Sequence, residues 1–405
     1  MTTAHRLFVA AALAGLIGGC GDERWVEAEV TIPPGVGSVC VTARGSGAVA
    51  YSERYEAGEP GGSVVFIEGD EVSGHVILEA THRRGGRSVA RARVDAPFGT
   101  GGLPVALSPG SCVAFEPPPG AELATIAGAE ALVALDEDGD GIDTLVVDVG
   151  DDSQDLGGTP RGVPTLVGGA DLDGDCLPEL WGMSAGEARA EGRTIAIDGD
   201  ALTFGDAGTG PRLFVAGPSG VSAVTHDAVR RSLSGAPSRT IVAGDLNGDG
   251  IDEVVAGGDS GIEVFFGGEG GPVIAPGATP RGWTATALAL GDVDGDGDLD
   301  LAVASDAGLG LARNRGDGFL EAASVPSLAP VAVRVGDVNG DCIEDVVALG
   351  GDGAASQWIA GGVDGLGAMI ALGDDVIDAT FAALEDGRPQ LVLLRSDGRV
   401  EAYAP

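Results

Sequence analysis

The most informative segment of this chain reads Gly291-Asp292-Val293-Asp294-Gly295-Asp296-Gly297-Asp298-Leu299-Asp300-Leu301-Ala302-Val303. With Asp292 counted as the first position, oxygen-bearing side chains occupy the first, third, fifth and ninth positions, and Gly295 permits a tight turn in the fourth. Calcium is a hard cation that takes about six to eight oxygen ligands. The spacing therefore predicts a calcium-binding loop, followed by a short apolar strand.

Five copies of this loop run through the last two-thirds of the chain. Their candidate metal ligands are Asp136, Asp138 and Asp140; Asp171, Asp173, Asp175 and Glu179; Asp245, Asn247, Asp249 and Glu253; Asp292, Asp294, Asp296 and Asp300; and Asp337, Asn339, Asp341 and Asp345. Thr144 stands at the ninth position of the first copy. The sequence thus predicts about five calcium ions held in a repeated architecture.

An EF-hand also begins with alternating acidic residues, but it needs a Glu at the twelfth position and a helix on each side. None of the five copies has Glu there, and Val303 occupies that position in the fourth copy. Short apolar runs such as 241–243 and 254–256 flank the loops, and runs of this kind between turn residues are typical of strands. Each loop is therefore predicted to join the two strands of a hairpin.

Two further stretches, 205–216 and 385–394, keep the turn residues and the following strand but have lost most of the acidic side chains. They bring the number of units to seven, at a spacing close to the blade period of β-propellers. A Gly-containing turn recurs later in most units, as in 259–261, and completes the pattern of a four-stranded blade. The two degenerate units are expected to bind no calcium.

The pattern resembles the FG-GAP and VCBS repeats of integrin-α-like propellers over roughly residues 120–405. The resemblance implies an all-β, seven-bladed propeller with structural calcium. The last unit has no room for a fourth strand, whereas 121–126 precede the first unit without a blade of their own. We expect 121–126 to complete the seventh blade and close the ring, because an open blade edge would be sticky.

The chain begins with a predicted secretory signal. Residues 7–17 form an apolar core too short to span a bilayer, and Ile17-Gly18-Gly19-Cys20 resembles a bacterial lipobox. Residues 1–20 are accordingly interpreted as a lipoprotein signal peptide, with Cys20 acylated and the mature chain anchored in the cell envelope, at the outer membrane or cell surface. Ordinary cleavage, with Cys20 incidental, is the alternative.

Residues 21–115 carry none of the acidic loops and alternate in strand fashion, which predicts a small β-sandwich ahead of a propeller over 116–405. An exported domain can form disulfides, and Cys40 with Cys112 is the natural pair because both flank this domain. Cys176 and Cys342 lie in loops of distant units and are expected to be unpaired.

The formal net charge is −39. Nucleic-acid binding needs basic patches, so this charge argues strongly against it. Without cations the clustered carboxylates should repel one another, so calcium is expected to contribute to folding stability. The ions would leave much of the acidity on the solvated surface, which favours solubility.

The preferred function is a non-enzymatic binding or scaffolding module at the cell surface, with a protein or glycan partner on the face away from the calcium loops. One alternative is a lectin, which would need exposed aromatic side chains; the four tryptophans are Trp25, Trp181, Trp283 and Trp358. A second is a polysaccharide lyase or hydrolase, for which Arg281 and His226 are the nearest candidates.

Overall fold

A computed structural model describes the backbone of eight strands between residues 24 and 107, and residues 121–403 apart from short gaps. These gaps are 139–141, 164, 173–176, 185, 191, 209, 226, 250, 269, 297, 324–327, 340–342, 352–353, 363–365, 368 and 385–388. The chain divides into two compact units, 1–111 and 112–405. No helix within the described residues has the length and apolar character needed to cross a membrane.

The first unit contains two sheets. Its strands are β1 (Arg24–Val30), β2 (Ser38–Arg44), β3 (Val49–Glu56), β4 (Ser63–Ile67), β5 (His75–Arg84), β6 (Arg87–Pro97), β7 (Gly99–Thr100) and β8 (Leu103–Leu107). One sheet has the order β4-β1-β7, with β8 pairing in parallel to β1, and the other has the order β3-β2-β5-β6. The sandwich arrangement remains a prediction, as does the Cys40–Cys112 disulfide, because Cys112 and the side chain of Cys40 lie outside the described part of the chain. Cys20 and the signal segment lie outside it too.

The second unit is a seven-bladed propeller, in which each blade is one sheet of the described residues. Blade 1 comprises β10 (Ala129–Leu135), β11 (Thr144–Val149) and β12 (Asp152–Asp155); blade 2 comprises β13 (Leu166–Ala170), β14 (Glu179–Ser184), β15 (Glu187–Ala190) and β16 (Arg193–Ala196); blade 3 comprises β17 (Ala201–Asp206), β18 (Pro211–Gly217), β19 (Gly220–Val224) and β20 (Arg230–Ser234). Blade 4 comprises β21 (Thr240–Gly244), β22 (Glu253–Gly258), β23 (Gly261–Phe266) and β24 (Val273–Ile274); blade 5 comprises β25 (Ala287–Gly291), β26 (Asp300–Ser305), β27 (Gly308–Arg313) and β28 (Glu321–Ala323). Blade 6 comprises β29 (Pro330–Gly336), β30 (Asp345–Gly350), β31 (Ser356–Ile359) and β32 (Met369–Gly373); blade 7 comprises β33 (Val376–Ala383), β34 (Pro389–Arg395), β35 (Arg399–Ala402) and β9 (Ala121–Thr125).

The second strand of each blade is an apolar run because it is covered on both faces by neighbouring blades. In blade 7, for example, Leu391, Val392, Leu393 and Leu394 are all fully buried. Separate apolar clusters fill the interfaces between adjacent blades around the ring. The cluster between blades 1 and 2 is small, with Leu135, Val146, Val163 and Leu180 as its buried members.

The ring closes as predicted. Strand β9 pairs antiparallel with β35, so a segment that precedes blade 1 in the chain supplies the outer strand of blade 7. The amide of Ile126 also donates to the carbonyl of Gly398, at 2.8 Å.

Blade 1 differs from the expected four strands. Its described residues form three, and the chain beyond β12 makes only an isolated bridge between Gln154 and Pro160. The amide of Asp155 donates to the carbonyl of Thr159 at 3.1 Å and the amide of Arg161 donates to the carbonyl of Ser153 at 2.8 Å, and these two bonds form the bridge.

Candidate metal centres on the loop face

All the acidic loops join the innermost strand of a blade to its second strand, so they lie on the same side of the ring, which we call the loop face. The loop of blade 5, for example, runs from the end of β25 to the start of β26. The hairpin connection predicted from the sequence is therefore present. The turns between second and third strands lie on the other side, which we call the opposite face.

The loop of blade 5 brings three predicted ligands together. Asp292, Asp294 and Asp296 each offer a carboxylate oxygen, and these oxygens lie within 4.8 Å of one another. The amide of Gly295 donates to Asp292 Oδ1 at 2.8 Å, and Gly295 has a φ of 76°. A side chain is disfavoured at this φ, so glycine allows the turn that points the carboxylates at a common centre.

Asp300, the ninth residue of this loop, is fully buried at the start of β26. Its Oδ1 accepts a hydrogen bond from the amide of Asn314 at 2.8 Å, whereas its Oδ2 is buried without a hydrogen-bond partner. Burial raises the pKa of Asp300 to about 7; the hydrogen bond from Asn314 opposes this rise, and the charges of Asp294 and Asp296 add to it. A buried acceptor with no donor is a costly group, and a cation would satisfy it.

The ninth residues of blades 4 and 6 are also fully buried, but each accepts hydrogen bonds from two backbone amides. In blade 4, Glu253 accepts hydrogen bonds from the amides of Leu246 at 2.8 Å and Gly267 at 3.2 Å. In blade 6, Asp345 accepts from the amides of Val338 at 2.9 Å and Gly361 at 2.8 Å. Burial raises the pKa of Glu253 and of Asp345 to about 7. The ninth carboxylate thus both fixes the loop to the blade and supplies negative charge beneath it.

The loop of blade 4 shows how the predicted ligands at the first, third and fifth positions are oriented. Asp245 Oδ1 accepts from the amides of Gly248 at 2.8 Å and Asp249 at 3.2 Å. Asn247 Oδ1 accepts from the amide of Asp249 at 2.9 Å, and Asp249 Oδ1 accepts from that of Ile251 at 2.9 Å. Each ligand side chain is therefore held by backbone two to four residues ahead, which preforms the loop.

The remaining predicted ligands are described in part. Asp136, Asp138, Asp171, Glu179, Asp337 and Asn339 occupy the equivalent loop positions of blades 1, 2 and 6, whereas Asp140, Asp173, Asp175 and Asp341 lie outside the described residues. Glu179 Oε2 accepts from the amide of Leu172 at 3.2 Å, which repeats the arrangement of the other ninth residues. Thr144 begins β11 and brings no carboxylate to the first loop.

The degenerate loop of blade 3 keeps the turn without the charge. Asp206 Oδ1 accepts from the amides of Gly208 and Gly210, both at 2.9 Å, so backbone donors take the place that a cation would have. The corresponding loop of blade 7 falls in the gap at 385–388.

Sequence reasoning missed a second role of these loops, which involves their eighth position. In blade 6, the Glu344 carboxylate accepts from the amide of Asp292 in blade 5 at 2.7 Å, and the Glu344 amide donates to the Asp292 carbonyl at 2.8 Å. The same two-way contact joins Asp252 to Asp206 and Asp143 to Ala383. An acid at the eighth position of three loops was visible in the sequence, but its partner in the preceding blade was not.

Arg313 is the basic side chain described next to the blade 5 cluster. Its Nε lies 3.3 Å from Asp294 Oδ2. Even so, the pKa of Asp294 is raised, first by burial and then by Asp296, so one guanidinium does not offset the local negative charge. The residues present in this loop therefore fit a cation bound by oxygen.

Comparison with known families supports the repeat architecture. Residues 245–303 and 292–348 each match a model described as an FG-GAP-like repeat. The matched stretch runs from the loop of blade 4 to the second strand of blade 6. No curated protein matches the chain in sequence.

Solved structures share the fold at low sequence identity. The chain is similar to BBS1N, crystallised in complex with ARL6DN, with 13% identity and a TM-score of 0.52 over 73% of this chain and 97% of that one. It is also similar to a lectin from Agrocybe aegerita that recognises non-reducing terminal N-acetylglucosamine, with 15% identity and a TM-score of 0.42 over 87% and 94% of the two chains. A third is an auxiliary nutrient binding protein from Bacteroides ovatus, with 12% identity and a TM-score of 0.39 over 94% and 98%. At these identities the similarity concerns the fold alone.

Proposed function

We propose that this chain is a calcium-stabilised lipoprotein of the cell envelope whose propeller binds a partner without catalysing a reaction. The observation that carries the proposal is the blade 5 loop, where three carboxylates converge within 4.8 Å above a buried fourth. Five such loops repeat in register along the chain. Repeated ligand sets of this kind are typical of structural ions.

Calcium would supply positive charge to the converging carboxylates and oxygen-coordinated cross-links within each loop. The side chains of the loop would supply the ligands. Asp292, Asp294 and Asp296 would hold the ion from the loop, and Asp300 would anchor it to β26. Because Glu344 contacts the backbone of Asp292, order in the blade 5 loop also supports the interface with blade 6.

The binding role is inferred from the face of the propeller that carries no acidic loops. If their carboxylates are occupied by structural ions, the loop face is committed to stability, and the opposite face is available to a partner. Acylation at Cys20 would place that face at the cell surface or in the envelope, next to proteins and glycans.

The two alternatives from the sequence receive less support. Trp181 and Trp358 are buried in apolar clusters between blades, so neither can stack on a sugar. Arg281 is exposed in the connection between blades 4 and 5, and His226 lies outside the described residues. No described cluster of Arg, His and Tyr therefore suggests a lyase or hydrolase site.

The proposal is tested with the mature chain immobilised on a biosensor surface, with calcium and with chelator. Solubilised envelope proteins and an array of glycans are presented in both conditions, and polysaccharides are assayed in parallel for cleavage. We expect binding in calcium, loss of that binding in chelator, and no cleavage. Cleavage of a polysaccharide, or binding of equal strength in calcium and in chelator, would contradict the proposal.

A further inference from the structure

Four consecutive blades carry an irregularity at the start of their innermost strand, on the opposite face. Pairing with the second strand skips Val331 in β29, Ile377 in β33, Glu130 and Ala131 in β10, and Val167 in β13. These strands belong to blades 6, 7, 1 and 2, which are neighbours because the ring is closed. The innermost strands of blades 3, 4 and 5 pair without a shift. A β-bulge re-aims the side chain that it carries, so the ring is asymmetric at the mouth of its central channel.

The bulges of blades 1 and 2 are held by side chains of the preceding blade. In blade 1, the amide of Leu132 just after the bulge donates to Asp378 Oδ2 of blade 7 at 3.0 Å. In blade 2, the amide of Leu166 just before the bulge donates to Asp148 Oδ2 of blade 1 at 2.8 Å. Since buried carboxylates accept hydrogen bonds from these two amides, the bulges of blades 1 and 2 are built features of the fold.

The bulges change which residue is exposed. The second residue of the innermost strand is buried in blades 3, 4 and 5, as Leu202, Ile241 and Leu288. In blades 6 and 7 the same position holds Val331, which is 58% exposed, and Ile377, which is 42% exposed. In blade 1 it holds the exposed Glu130, and in blade 2 the half-buried Val167. We call these four residues, Val331, Ile377, Glu130 and Val167, the rim arc.

One of the two buried carboxylates behind the rim arc is balanced by a cation, and the other keeps an oxygen without a hydrogen-bond partner. Asp378 has a partner, because Arg334 donates to its Oδ1 at 2.7 Å. Asp148, which lies opposite the blade 1 bulge, has one oxygen bonded to Leu166 and the other, Oδ1, buried without a hydrogen-bond partner. Burial is the main reason that the pKa of Asp148 is raised, and the charges of Glu130 and Asp378 add to it. A positive charge arriving beside Glu130 would therefore be favourable to two carboxylates.

We infer that the rim arc is the docking site for a segment of a partner protein that presents an Arg or Lys beside apolar side chains. The apolar side chains would cover Val331, Ile377 and Val167, while the cation pairs with Glu130. The exposed apolar side chains of Val331 and Ile377 are complementary to the apolar part of such a segment, and the negative charge of Glu130 is complementary to its cation. The inference rests on the proposed binding function and names its face and its partner chemistry.

The probe for this inference is a random peptide library displayed on phage and selected on the calcium-loaded mature chain. Binding of the enriched peptides is then measured on Ile377→Asp and Glu130→Arg, and on Val273→Asp as a matched control. Val273 is 62% exposed on the outer strand of blade 4, away from the channel. Each variant is used only if its calcium-loaded unfolding midpoint equals that of the parent chain.

The expected result is enrichment of peptides with Arg or Lys next to apolar residues. Their affinity should fall roughly tenfold or more on both rim variants and stay unchanged on the control. A repeated selection on Glu130→Arg should no longer enrich basic peptides. Enriched peptides that bind the rim variants as well as the parent would overturn the rim arc while leaving the proposed binding function intact. A library that yields no basic apolar peptide would also overturn it, and the biosensor experiment would then judge the broader function independently.

Discussion

Replacing Asp300 by Asn should have opposite effects on stability with and without calcium. Asp300 is fully buried and one of its oxygens has no hydrogen-bond partner. In the ion-free protein the buried carboxylate therefore destabilises the folded state, whereas with calcium bound it is expected to be a ligand. Asn keeps the size and the carbonyl oxygen that can accept from Asn314, but it removes the charge.

The magnitudes follow from the surroundings of the carboxylate. An ordinary Asp has a pKa of 3.8 and burial raises that of Asp300 to about 7, so ionising it at pH 8 costs the folded state roughly 4 kcal/mol. The Asn side chain buries an amide in its place at a cost of about 1–3 kcal/mol, which leaves a gain of roughly 1–3 kcal/mol in chelator. At a calcium concentration about 1,000-fold above Kd, losing the ion lowers the free energy of unfolding by about 4.1 kcal/mol. This loss exceeds the gain, so in calcium the variant should be less stable than the parent by roughly 1–3 kcal/mol.

The assay is denaturant-induced unfolding at pH 8, measured in excess calcium and in chelator. Asp306→Asn in the exposed turn of the same blade is the matched control and should change neither curve. We expect Asp300→Asn to unfold at lower denaturant than the parent in calcium and at higher denaturant in chelator. Equal destabilisation in the two conditions would show that Asp300 is not a calcium ligand and acts only through its bond to Asn314.

Three further predictions concern the blade interfaces and pH. Glu344→Ala removes the carboxylate that accepts from Asp292 and should lower the unfolding free energy by about 1–2 kcal/mol in denaturant titrations, whereas an unchanged midpoint would show that the contact is dispensable. Gly291→Ala would place a Cβ 2.1 Å from Val335 Cγ1, so we expect a loss of about 1–3 kcal/mol, against little change for Gly270→Ala, where a Cβ meets nothing within 4 Å. In chelator, the free energy of unfolding should fall as pH rises from about 4 to about 7. The buried ninth carboxylates of blades 4, 5 and 6 have pKa values of about 7 in the folded protein. Over that pH range the folded chain therefore binds more protons than the unfolded chain, and raising the pH removes this stabilisation. Excess calcium should flatten this dependence, and a chelator curve that rises with pH would contradict it.

Much of the propeller could be predicted from the sequence because its determinants are local and repeated. The position of Gly295 and the spacing of the acids specify a turn, and the apolar run after Asp300 specifies a strand covered on both sides. The closing strand β9 could be predicted by counting strands per unit, because the last unit lacked a fourth strand and an unassigned strand preceded the first unit.

The features that were missed depend on contacts between blades. Glu344 is one acid among many in the sequence, and only the ring geometry places it against Asp292. The bulges at Val331 and Ile377 are likewise invisible to a pattern search, because a bulge adds a residue without changing the type of strand. Within the described residues, blade 1 has three strands where the repeat pattern predicted four, and the chain after β12 forms one bridge, between Gln154 and Pro160.

We propose above that the five acidic loops hold structural calcium. This proposal is tested most directly by counting the calcium ions bound per chain after equilibrium dialysis of the mature protein, and by recording its thermal unfolding with calcium and with chelator. We expect about five bound ions per chain and a large rise in the unfolding temperature with calcium. A chain that binds no calcium and unfolds at the same temperature in both conditions would contradict it.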